Sequence, residues 1–203
     1  MRSRSVSGLV LTGTADIPAL PARLVADWER EIQHHLELEP GDVEELPLAR
    51  ARLRWPDYSR CVQAASEWAH TLGLAGLLAS SDMALMACRG AHYHHDGAQY
   101  GGSVFFNVFL SEDKGLDLHF PSTGQRFALR RGTTVVFDTG QPHAVIPRGS
   151  NGFQQFFGIA KGFHQNQIGT SANECLNLFT ESLTRFLMLH SPEGFQADAQ
   201  WPD

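Results

Sequence analysis

Between Met83 and Ile159 the sequence breaks into short apolar runs, and this rhythm constrains the fold more than any other feature of the chain. The runs are Met83–Cys88, Val104–Leu110, Leu116–Phe120, Arg126–Leu129, Thr133–Phe137, His143–Ile146 and Phe153–Ile159. Turn residues divide them at Ser111–Gly115, Pro121–Gly124, Arg131-Gly132, Thr139-Gly140 and Gly149–Gly152. Strands this short and this regularly spaced predict a β-sandwich or a jelly-roll barrel. The run Val104–Leu110 is almost continuously apolar, as expected of a strand covered on both faces.

Inside this stretch lies a pattern of metal-ligating residues. It begins His92-Tyr93-His94-His95-Asp96 and ends at His143, which follows Gly132 and Asp138-Thr139-Gly140. Residues i and i+2 of a strand share a face, so His94 and Asp96 are expected to present an imidazole and a carboxylate together. A closed sheet that brings His143 alongside would complete a set of two His and one carboxylate. Such a facial set suits non-haem Fe(II) and leaves three positions on the metal open. The bland alternative is that a chain with ten histidines gathers several in one place. The candidate metal ligands are therefore His94, Asp96 and His143.

At 203 residues the expectation is one domain, spanning 1–203, that buries roughly 70% of the unfolded chain's surface. An apolar fraction of 42% and a charged fraction of 19% are ordinary for a globular protein. No apolar run approaches the ~20 residues that span a membrane, and no sustained apolar segment of a secretory leader follows the basic start. A net charge of -6 argues against coating nucleic acid, while leaving room for a small anion met by local arginines. Cys61, Cys88 and Cys175 are odd in number and widely spaced, so neither a disulfide framework nor a zinc cluster is expected. A reducing cytoplasm fits this usage.

Helices are expected on either side of the strands. Leu24, Val25, Trp28, Ile32 and Leu36 recur near the helical period and predict a helix over 22–38, stopped by Glu39-Pro40-Gly41. A second helix is predicted over 57–72, with 42–56 between them as a loop or short helix. Gly8–Leu11 is either an edge strand or a loose terminus. These segments make 1–82 a helical support for a core at 83–160. After that core, Ser171-Ala172-Asn173-Glu174 has the form of a capping box. Leu176, Phe179, Leu183, Phe186 and Leu187 follow at helical spacing, predicting a C-terminal helix and tail over 161–203 that covers the barrel or a dimer partner.

Helices, then strands carrying His-x-Asp, then a distal His, resemble the 2-oxoglutarate/Fe(II)-dependent dioxygenases, on their prolyl-hydroxylase-like side. The likeness covers about residues 83 to 160 and rests on Gly115–Phe120, Gly132–Phe137 and His143-Ala144-Val145-Ile146-Pro147. It implies a double-stranded β-helix, a cupin-like jelly roll buttressed by helices. It also implies Fe(II) held by His94, Asp96 and His143. The co-substrate 2-oxoglutarate would chelate that metal, and dioxygen would be consumed in hydroxylating a small molecule or an amino-acid or peptide side chain. The chain departs from the family where the far carboxylate of 2-oxoglutarate is bound. Gly152 and Phe153 stand where a basic residue is usual, and Arg148 is the nearest cation. Phe109 stands where a Tyr is frequent, leaving Asn107 as the polar residue of its strand. Arg148 and Asn107 are thus the candidates for the co-substrate, with Arg126 and Arg130 behind them.

Two other readings compete. A cupin of another kind would use His92, His94 and His143 as a three-His site, although no Glu follows at the spacing its first motif needs. A jelly roll that binds a metabolite without catalysis would make the histidines incidental. The substrate is open. Tyr93, His95, Tyr100, His119 and Arg89 are candidates for the mouth of the site, and 97–102 and 165–170 for a lid. No nucleic acid or membrane partner is expected, and either a monomer or a homodimer is compatible.

Overall fold

The computed structural model describes residues 5–32, 34, 41, 43–74, 82–100, 103–149 and 184–191. In chain order the elements are β1 (Val10–Thr14), α1 (Ala22–Glu31), β2 (Val43–Leu46), α2 (Leu48–Arg52) and α3 (Tyr58–Thr71). There follow β3 (Asp82–Cys88), β4 (Ala91–His94), α4 (Gly97–Tyr100), β5 (Val104–Phe109), β6 (Leu116–Phe120), β7 (Gln125–Ala128), β8 (Thr133–Asp138), β9 (His143–Pro147) and β10 (Thr184–Ser191). The strands form one sheet in the order β1-β8-β5-β10-β3-β2 and another in the order β4-β9-β6-β7. All the pairings are antiparallel.

From β3 to β10 the chain passes repeatedly between the sheets, so strands adjacent in space are distant in sequence except in the β6–β7 hairpin. That is the winding of a jelly roll, and β1 and β2 extend its larger sheet at the two edges. Of the two readings of Gly8–Leu11 the edge strand holds, and the segment expected as a loop or short helix contains both a short helix, α2, and an unexpected strand, β2, all within the part of the chain read as helical support. The short lengths of β1 and β2 suit edges, where a long strand would offer unpaired backbone to other chains.

The larger sheet is covered on both faces, and β5 shows how its sequence accomplishes this. Phe105 and Phe109 face the smaller sheet with Phe120, Val135 and Phe137. Phe106 and Val108 face the opposite way, into a core shared with Leu24, Trp28, Cys61 and Ala65 of the helices and Trp55 of the α2–α3 connection. Each alternate residue thus finds an apolar partner, and the run reads as continuous. Trp68 of α3 stacks on Phe106, with ring centroids 5.4 Å apart and an interplanar angle of 7°. A helix with a single apolar stripe buries it here, which is where most of its stability arises.

The C-terminal helix is corrected in part. Phe186 and Leu187, assigned to it from their spacing, lie in β10, a strand between β3 and β5. The run Phe186-Leu187-Met188-Leu189 satisfies either period over so few residues, and periodicity alone does not separate a buried strand from a buried helix. The capping sequence 171–174 and the strand expected at 153–159 lie outside the described residues. No helix among the described residues is long and apolar enough to cross a membrane.

Candidate metal centre

β4 and β9 pair so that His94 stands directly opposite His143. Opposed residues of an antiparallel pair share a face, and the two imidazole centroids lie 4.4 Å apart. Asp96 arrives by another route than expected. β4 ends at His94, and Asp96 opens α4, with its carbonyl accepting the amides of Gln99 and Tyr100. Its own amide donates to the Thr139 carbonyl at 2.8 Å, tying it to the loop that leads into His143. Those two loops come close: a Cβ on Gly97 would lie 3.2 Å from the Cα of Gly140.

The nitrogens are oriented by the backbone. Nδ1 of His94 lies 2.6 Å from the carbonyl oxygen of His92, and Nδ1 of His143 lies 3.0 Å from that of Gln141. A carbonyl only accepts, so each Nδ1 carries the proton and each Nε2 is left with a free lone pair. Both Nε2 atoms converge on Oδ2 of Asp96, at 3.6 Å from His94 and 3.5 Å from His143. The ligand atoms of the three residues all lie within 4.8 Å of one another. Two imidazoles and a carboxylate around one point, each imidazole held from behind by a backbone carbonyl, fit a divalent metal.

The electrostatics match that use. Burial, and then the neighbouring His94, push His143 down to about 4, so it is a neutral base at ordinary pH. Phe137 and Phe120 supply the apolar wall, with centroids 4.8 Å and 6.2 Å from the His143 ring. Burial raises the Asp96 carboxyl, against the lowering effect of His94 and His95. A cation between these groups would reverse that penalty.

The ligands open into a cavity of about 480 Å³ between the sheets. Phe105, Phe109, Leu118, Met86, Cys88 and Val145 make its apolar lining, and Glu45, Gln99, Tyr100 and Asn107 are polar groups in its wall. Asn107, the candidate on β5, is there. Arg148 is not. Its guanidinium is held by Asp117 at 2.9 Å and by both oxygens of Asp113 at 2.8 and 3.0 Å, away from the cavity. Arg126 and Arg130 are also absent from the lining, and no Lys or Arg occurs in it among the described residues. The polar groups of the described lining other than the histidines and carboxylates are neutral: the Tyr100 hydroxyl and the Gln99 and Asn107 amides.

The other candidates separate. Tyr100 lines the cavity, whereas Tyr93 and His119 bond each other at 2.5 Å and do not. His95 and Arg89 are outside the lining as well. His92 borders the cavity against Gly41, but its ring nitrogens are not part of the ligand cluster. Glu45 was missed. It stands two residues after Val43, a spacing that carries meaning only once the segment is known to be a strand.

Neither a family model nor a curated protein sequence matches this chain. It is similar to several solved structures at low identity. EvdO2 from Micromonospora carbonacea var. aurantiaca is 13% identical over 96% of this chain and 92% of its own, with a TM-score of 0.48. The viral collagen prolyl hydroxylase of Paramecium Bursaria Chlorella virus-1, solved with 2OG, is 10% identical over 90% and 95%, with a TM-score of 0.47. A Pseudomonas putida prolyl-4-hydroxylase is 16% identical over 90% and 91%, with a TM-score of 0.40. The fold assignment rests on the strand order itself.

Proposed function

We propose that this protein is a mononuclear non-haem Fe(II) oxygenase that uses 2-oxoglutarate to oxidise a small molecule or an amino-acid or peptide side chain. The observation that carries the proposal is the convergence of His94 Nε2, His143 Nε2 and the Asp96 carboxylate at the mouth of a jelly-roll cavity. Iron held there supplies the activation of dioxygen, which no side chain can perform. The chain's own residues do the rest. The carbonyls of His92 and Gln141 fix the imidazoles as ligands, and the tie from Asp96 to Thr139 sets the carboxylate beside them. Phe105, Phe109, Leu118 and Val145 keep water from the space beyond the metal, where a reactive species would otherwise be quenched. Use of 2-oxoglutarate is supported by the His-x-Asp residues that run off the end of β4, the second strand of the roll, and the His-x-Val-x-Pro residues of β9, the seventh.

Anaerobic titration of the protein with Fe(II) or Mn(II), and then with 2-oxoglutarate, tests both levels. Stoichiometric metal binding that falls at least about a hundredfold in His143→Ala is expected, with 2-oxoglutarate binding only to the loaded protein. Metal binding with no response to 2-oxoglutarate would leave an oxygenase with a different reductant. No metal binding would sink the enzyme altogether.

A further inference from the structure

We infer that Asp138 and Gln141 are positioning residues of the metal centre, which clamp the exposed segment 5–9 over the turn that orients Asp96 and His143. The inference rests on the metal-site reading above and assigns the support of that same site.

The turn runs from Asp138 to Gln141, and the Gln141 amide closes it on the Asp138 carbonyl at 2.9 Å. Two of its carbonyls hold ligand residues. That of Thr139 accepts the Asp96 amide, and that of Gln141 accepts Nδ1–H of His143. Both ligating arms therefore take their direction from four residues. A shift of the turn moves the carboxylate and one imidazole together, and partners behind the ligands commonly carry about 10- to 100-fold of metal affinity.

Two walls hold the turn. On one side the Ser103 carbonyl accepts the amide and the hydroxyl of Thr139, at 3.2 and 3.1 Å. The other side is given to residues 6–8. The Asp138 carboxylate accepts the Gly140 amide on Oδ1 at 2.8 Å and the Ser7 amide on Oδ2 at 3.0 Å. Nε2 of Gln141 donates to the Gly8 carbonyl at 3.3 Å. Val6 also lies against Gly140, where a Cβ would come within 3.0 Å of its Cγ2.

Burial separates this clamp from ordinary packing. Residues 5–9 are all exposed, whereas Asp138 and Gln141 are 5% and 1% exposed. An exposed stretch buries little apolar surface to offset the entropy of ordering it. Two buried polar side chains hold it all the same, and both belong to the turn. The Gln141 side chain binds the segment while its carbonyl holds His143, so one residue joins the two. By linkage, a metal that fixes the turn tightens the segment, and loss of the segment loosens the metal.

Removing residues 1–8 tests this without touching the ligands, the turn or β1. Mn(II) affinity is expected to fall at least about tenfold in that chain and in Gln141→Met, which keeps the carbonyl that holds His143. A finer pair acts on one hydrogen bond. Ser7→Pro deletes the amide that donates to Asp138 and should weaken Mn(II) about threefold or more. Ser7→Ala keeps that amide and should bind as the unaltered protein does. Arg148→Met, destabilised outside the cavity, is the control for a loss of stability alone. Nitrogen NMR of the metal-free protein gives a second readout. His143 is expected as the single Nδ1–H tautomer in the full chain, and as a mixture of tautomers once residues 1–8 are removed. Unchanged Mn(II) affinity or an unchanged tautomer in the shortened chain overturns the inference, as do equal affinities in the two Ser7 variants. If the shortened chain fails to fold, the Ser7 pair decides. Failure of the full chain to bind Mn(II) overturns the iron reading instead, while the tautomer still decides this one.

Discussion

Asp117 is 6% exposed, and a carboxylate at that depth needs a partner. Arg148 supplies it, and holds Asp113 with its remaining donors, while the Arg148 amide donates to Gly115 at 2.7 Å. The guanidinium keeps Asp113 below the usual carboxylate range through that hydrogen bond. Replacing Arg148 by Met should therefore cost about 1–3 kcal/mol of stability in urea unfolding. Mn(II) affinity should not change by more than about twofold, since the clasp lies outside the cavity. Nearness in sequence made Arg148 attractive as a ligand for the co-substrate, but parity points the other way: His143 and Val145 face the cavity, so position 148 faces out. His143 sets a pH dependence of its own. Its folded-state value of about 4 lies below the ordinary 6.5, so on acidification the unfolded chain takes up this proton first. Its contribution is intact above about 6.5 and is lost as pH falls toward about 4. Asp96, shifted upward, opposes this, because there the folded state protonates first. Urea midpoints of the metal-free protein should fall across that window, and the fall should be shallower in His143→Leu.

At the scale of elements, the first strand is held by a missing side chain. A Cβ on Gly13 would lie 2.1 Å from Nε1 of Trp68, so β1 passes over the indole only as glycine. Gly13→Ala should cost about 1–3 kcal/mol in overpacking and shift the tryptophan emission as α3 is pushed off β5. A melting curve read by fluorescence checks both. The chain ahead of β1 also matters to the site: the Ser7 amide donates to Asp138, and the Gln141 side chain to the Gly8 carbonyl, on either side of the turn before His143. The sequence offered an edge strand at Gly8–Leu11 as one of two readings, but so few residues do not declare a partner or these contacts. The long elements were legible because burial stamps a period on them. α1 and α3 begin within a residue of expectation, and β6 matches it end to end. The segment 43–52 carried no such stamp, because β2 and α2 are short and largely exposed, and Glu45 was hidden with them.

At the scale of the molecule, the question is what closes the barrel. The sequence indicated a jelly roll, and the ligand triplet within it, because strand spacing and His-x-Asp are local signals. It did not indicate β10, because a strand's place in a sheet is decided by partners far away. β10 sits between β3 and β5, with Phe186 opposite both Met86 and Phe109 and Met188 opposite both Ala84 and Asn107. It thus bonds on both sides and completes the wall that carries Asn107. Truncation after residue 183 separates this arrangement from one in which the C-terminus packs outside the barrel as a helix. Without β10, β3 and β5 lose a shared neighbour and expose facing edges to water and to other chains. At roughly 0.5–1.5 kcal/mol for each net hydrogen bond, a strand paired along both edges is worth about as much as the 5–15 kcal/mol of a whole domain. The truncated chain is therefore expected to be unfolded or aggregated by circular dichroism and light scattering, and to bind no Mn(II). A helix lying outside would leave a folded barrel that still binds the metal. Amide exchange on the full chain distinguishes the two arrangements without truncation: backbone amides of 185–190 should be protected as strongly as those of β5. Rapid exchange there would place the closing strand elsewhere in the chain.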